Sequence, residues 1–83
     1  MSAEQDGVAD LDHFLAPWGK EITLQTVDYE SGLKMVRITI REKRRFTTLD
    51  LDLETTTHLV QRLSEWAEVA KREMPFNSPP TEE

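Results

Sequence analysis

KEITLQTVDYESGLKMVRITIREKRRFTTLDLDL, residues 20–53, is the stretch on which the fold turns. Its runs KEITLQTVDY, LKMVRITIRE and FTTLDLDL are rich in β-branched and aromatic residues and alternate with period two, fully or in part. That pattern predicts three strands, at about residues 21–29, 33–42 and 45–51. Gly32 takes positive φ at low steric cost, which suits a three-residue hairpin loop closed by Tyr29 and Leu33. The second connection has no Gly, Asn or Pro. Its brevity still favours a tight hairpin around Lys43 and Arg44.

The two turns fix a register. The first hairpin sets Ile22 opposite Ile40 and Leu24 opposite Ile38. The second sets Ile38 opposite Leu49 and Val36 opposite Leu51. Both choices gather Ile22, Leu24, Val36, Ile38, Ile40, Leu49 and Leu51 on one face, and a one-residue slip would scatter that set.

A helix follows, predicted over about residues 53–73. Asp52 is placed to cap its N-terminus, and Glu54 lies near the positive end of its dipole. Thr56, Leu59, Val60, Leu63, Trp66, Ala67, Ala70 and Met74 recur at three- and four-residue spacing and form an apolar stripe. Trp66 therefore reads as core. Pro75 and Pro79 stop any continuation. The stripe packs on the apolar sheet face, which gives an α+β fold: a three-stranded antiparallel meander with one C-terminal amphipathic helix.

The flanks read differently. Residues 1–12 are polar, acidic and rich in small residues, and are expected to be a disordered leader. Residues 75–83, with three of the chain's four prolines and two terminal acids, are expected to be a disordered tail. A single folded domain is expected over residues 13–74. A unit this small buries a thin core, which makes oligomerisation a natural supplement.

The chain has 16 Asp and Glu against 10 Lys and Arg, a net charge of −6, which opposes bulk attraction to nucleic acid or anionic lipid. It has no cysteine, so no disulfide or thiolate metal site is available. No apolar run approaches the roughly 20 residues that cross a bilayer, and the N-terminus lacks the basic and apolar regions of a signal peptide. The expectation is a soluble cytoplasmic protein.

The same register sends Val27, Tyr29, Leu33 and Met35 to the second sheet face as an apolar patch. A patch of that size on a monomer points to a cover. The leader segment HFLAPWG could fold back over it with Phe14, Leu15 and Trp18. Alternatively, that face, or the open edge of the third strand, serves a homodimer. These four residues are the candidate protein-interaction site.

Arg37, Arg41, Lys43, Arg44 and Arg45, with Phe46, form the sole basic constellation. Basic side chains interleaved with aromatics on a sheet can hold a single nucleic-acid strand, with phosphates on the charges and bases stacked on the rings. Equally, Arg37 can pair across the strands with Asp50, and the turn charges can keep the sheet end soluble. Asp50, Asp52 and Glu54 resemble a carboxylate cluster, but Asp50 has Arg37 and Asp52 has the helix cap. His13 and His58 have no triad partners, and there is no glycine-rich phosphate loop. No catalytic residue, metal ligand or cofactor is expected.

The succession of strand, Gly-containing turn, VRITIRE, further strand and helix resembles the single-stranded-DNA-binding transcriptional coactivators of the positive-cofactor type, over residues 22–66. That resemblance implies a dimer that binds DNA on basic strands and hairpins, with Arg37, Arg41, Lys43 and Arg44 as the contacts. Here there are three strands where that family has four, less lysine, and an acidic total charge. The residues of FLAPWGKEITLQ, GLKM and RRFT are similar, too, to small bacterial β-meander-plus-helix proteins with no assigned activity. The leading expectation is a non-enzymatic interaction domain, homodimeric and binding a protein partner. Weak single-stranded nucleic-acid binding through the basic second hairpin is the alternative.

Overall fold

The computed structural model describes residues 5–74. They form four antiparallel strands, β1 (Gln5–Ala16), β2 (Lys20–Tyr29), β3 (Lys34–Glu42) and β4 (Arg45–Leu51), followed by one helix, α1 (Leu53–Glu73). The sheet order is β1-β2-β3-β4, a meander. The architecture is α+β as expected, with a fourth strand that the sequence pattern did not give. The expected tail, residues 75–83, and the proline stop lie outside the described residues.

The register of β2, β3 and β4 is the expected one: Ile22 faces Ile40, Leu24 faces Ile38, Ile38 faces Leu49 and Val36 faces Leu51. Both turns form where expected. Gly32 has φ 95° and its amide donates to the Tyr29 carbonyl at 2.9 Å, while the Tyr29 amide donates to the Leu33 carbonyl at 2.9 Å. The second turn holds Lys43 at φ 58°, a left-handed conformation that a side chain with a Cβ resists.

The added strand comes from the acidic front end. β1 pairs with β2, Phe14 opposite Ile22 and Val8 opposite Val27, through the short turn Pro17–Gly19. Phe14 thus joins the helix-side face and Leu15 the other. HFLAPWG extends the sheet at its edge and does not fold over a face. The pairing register shifts between Gln5 and Gly7 and again between Asp10 and Asp12. Each shift resets the side-chain alternation, so the period-two signal in the sequence is broken.

The helix starts as expected. The Thr55 amide donates to Asp52 Oδ1 at 2.9 Å, and the Thr56 hydroxyl donates to the Asp52 carbonyl at 2.7 Å. α1 packs on the sheet through β3. No helical residue is buried, and Trp66, expected in the core, is 65% exposed. Asp52 is the single residue between β4 and α1, so the chain ties the helix to the sheet at its first turn. Thr56, Ala67 and Ala70 are half-buried, yet Leu63, on the same line of the helix, is 56% exposed. Among the described residues only Val27 and Leu51 form a buried core. What results is one sheet layer with a lightly seated helix, where a closed domain needs two packed layers.

Candidate interaction surface

Pairing across the strands builds a polar ladder on the face away from the apolar sheet set. Gln25 Nε2 donates to Asp10 Oδ1 at 2.9 Å, joining β2 to β1. Arg37 donates to Asp50 through Nε at 2.8 Å and Nη2 at 3.2 Å, joining β3 to β4. Two rows along, past Thr39 and Thr48, Arg41 donates to Glu21 through Nη2 at 2.9 Å and Nε at 3.3 Å, and through Nη1 to the Lys43 carbonyl at 3.1 Å. His13 Nε2 lies 3.5 Å from Glu21 Oε1.

These contacts set the ionisation of the ladder. Hydrogen bonds from Arg37 hold the Asp50 carboxyl below its usual range against the opposing effect of burial, and the same bonds raise Arg37. The Arg41 hydrogen bonds likewise lower Glu21. Of the four arginines singled out by the sequence, Arg37 and Arg41 therefore spend donors on carboxylates of their own sheet. Lys43, Arg44 and Arg45 at the turn form no ion pair among the described residues, and Phe46 beside them is 64% exposed.

The apolar patch on this face is partly closed. Val27 has no exposed surface, lying opposite Val8 of β1 and Met35 of β3. Tyr29 and Met35 are half-buried and Leu33 remains exposed. Sequence reasoning missed β1, and with it the strand that places Val8 beside Val27. As a contact surface the patch is reduced to its rim.

Open apolar surface lies along α1 and β4, and Leu11, Leu15 and Trp18 are exposed on β1 and the turn after it. Leu49, Leu53, Val60, Leu63, Trp66 and Val69 are all exposed. Near the helix start, Leu33, Val36, Leu51 and Leu53 line a shallow groove between α1 and the first hairpin. The two sheet edges differ. β1 carries two register shifts and the acids Asp10 and Asp12, features that discourage strand addition. β4 pairs with β3 without a shift and offers Phe46, Thr47, Thr48 and Leu49 with neither charge nor proline among them.

Among the described residues, no helix is long and apolar enough to cross a membrane, and no three His, Cys, Asp or Glu side chains are grouped to hold a metal ion.

A family model described as a family of unknown function, DUF6967, matches residues 5–69. The chain belongs to that family. The DUF6967 match begins at the first residue of β1 and runs into α1, so the acidic strand lies within the family's unit. No curated protein and no solved structure matches the chain.

Proposed function

We propose that this DUF6967 chain is a small, non-enzymatic, cytoplasmic interaction domain that works by protein–protein contact, self-association included. One observation carries the reading: a 21-residue amphipathic helix without a single buried residue, on a sheet whose buried core is Val27 and Leu51. Half-exposed Leu, Val and Trp side chains each forgo on the order of 1 kcal/mol of burial, and a partner recovers it. The contact surface is the helix side of the molecule, because on the opposite face Val27 is already buried beside Val8 and the row of Arg37, Asp50, Arg41 and Glu21 is occupied by its own ion pairs.

Association that covers this surface makes the thermal midpoint rise with protein concentration. It also keeps a solvatochromic apolar dye from binding at high concentration and admits it on dilution. A midpoint independent of concentration, with no dye binding at any dilution, would mean that the chain closes the surface by itself and would remove the reading. Salt-sensitive binding of a single-stranded oligonucleotide, lost in Arg44→Ala, would support instead a nucleic-acid role for the basic turn.

A further inference from the structure

We infer that the occupant of this surface is a second copy of the chain, joined through antiparallel pairing of the two β4 edges, with the α1 stripes closing beside that seam. The inference rests on the interaction-domain reading and names its partner and geometry.

Charge order along the edge selects the partner. β4 has Arg45 at its start and Asp50 near its end; the turn before it adds Lys43 and Arg44, and the helix start after it adds Asp52 and Glu54. An antiparallel pairing of two such strands about a two-fold axis sets each basic end against the other copy's acidic end. Centred on Thr48, it places Phe46 beside Asp50 and Arg44 beside Asp52 of the second copy. Asp52 supplies that attraction: it lies at the helix start with its carboxyl held ionised by Thr55, whereas Asp50 is already paired with Arg37. A parallel pairing would set like charges together. The strand is thus complementary to itself in one direction only.

The sheet gives the same answer through its edges. β1 is shielded by its register shifts and acids, while β4 is regular and open, so growth of the sheet is one-sided. One-sided growth ends at two copies and does not propagate into a filament. The surface to be covered is of the right size. Leu49, Leu53, Val60, Leu63 and Trp66 leave on the order of 600 Å² open per chain, at the upper end of the largest patch of an ordinary monomer. Main-chain pairing adds to that area and brings it near the roughly 800 Å² that each partner gives to a stable interface. Because α1 begins one residue after β4, its first turn, with Leu53, lies at the end of the seam.

The natural chain has no cysteine, so single cysteines report the seam cleanly. Thr47→Cys, Thr48→Cys and Leu49→Cys are compared with Val8→Cys on β1 under mild oxidation, beside sedimentation of the wild-type chain. The expected result is a wild-type dimer and disulfide-linked dimers from at least one β4 variant, since a two-fold through the strand brings one such pair within bonding reach. Val8→Cys stays unlinked. Leu63→Glu raises the dissociation constant by about tenfold or more, with its helicity read by circular dichroism as a check on folding. A wild-type dimer that links through Val8 and not through β4 overturns this interface and leaves a self-associating domain standing. A monomer that still binds the apolar dye overturns the second copy while the open surface remains. A monomer that binds no dye removes both.

Discussion

Arg37 on β3 and Asp50 on β4 stand directly opposite each other and share two hydrogen bonds, of 2.8 and 3.2 Å. The pair answers the question posed by the basic stretch in an acidic protein. An arginine engaged by two oxygens of one carboxylate has little left for a phosphate. Arg41 is engaged in the same way by Glu21, so within the basic stretch the charges available to a partner are those of the turn, Lys43, Arg44 and Arg45.

Asp50→Asn removes the charge from this pair and keeps its shape. The pair is partly exposed, with side-chain accessibilities of 24% and 33%, so its contribution is about 0.5–1 kcal/mol. Because Arg37 holds the folded-state pKa of Asp50 below its unfolded value, that stability is fully present above the unfolded pKa, about 3.9. It is lost as pH falls through the lower folded pKa. Chemical denaturation between pH 7 and pH 3 is expected to show a wild-type advantage over Asp50→Asn at neutral pH that shrinks below pH 4. An advantage that grows on acidification would contradict the pairing.

Asp52→Ala should lower the thermal midpoint and the helical signal, since it frees the Thr55 amide and removes an anion from the positive end of α1. Asp52→Asn, which can still accept the bond, should lose less. Thr55 lowers the Asp52 pKa, so the cap also weakens as pH falls through that lowered value. Equal effects of Ala and Asn would mean that the cap bond contributes nothing.

The register, the turns and the cap were legible because each is a local rule with one consistent solution. Alternating Ile and Leu across two short turns leaves no second way to put Ile22, Ile38 and Leu49 on one face. β1 was not legible, because its composition is that of a solvated leader and its register shifts erase the alternation at Asp10 and Asp12. The signal that could have found it is Pro-Trp-Gly just before β2, a turn that needs a strand on both sides. The stripe on α1 was read correctly as amphipathic, yet Trp66 and Leu63 are open. Periodicity tells which side of a helix wants cover, and says nothing of which molecule supplies it.

Lys43→Gly should stabilise the chain. Lys43 alone of the two turn residues has positive φ, 58°, which costs a side chain with a Cβ about 1–2 kcal/mol. Glycine removes that strain and returns part of it as unfolded-chain entropy, for a net gain of about 0.5–1 kcal/mol. The Arg41 bond to the carbonyl of residue 43 is kept, since it uses the main chain. A rise of a few degrees in the thermal midpoint is expected, and Lys43→Val, β-branched, should lower it. A fall with glycine would show that the side chain of Lys43 holds the turn by a contact stronger than its strain.

Val27→Ala should be among the most damaging conservative substitutions in the chain. Among the described residues Val27 is the one large side chain with no exposed surface, and it lies between Val8 and Met35 on neighbouring strands. Removing two methyl groups from a site with so few buried neighbours costs about 2–3 kcal/mol, a large fraction of what a domain this thin can hold. Val8→Ala, at the half-open end of the same row, should cost less than half as much. Val8→Asp tests the strand itself, because it puts an acid against the buried Val27 and should release β1 from β2. Amide hydrogen exchange in β2 should then rise along the edge facing β1 and stay slow along the edge facing β3. Uniform exchange in both edges would mean that β1 gives β2 no protection, and that Val27 is buried by something other than the strand that sequence reasoning missed.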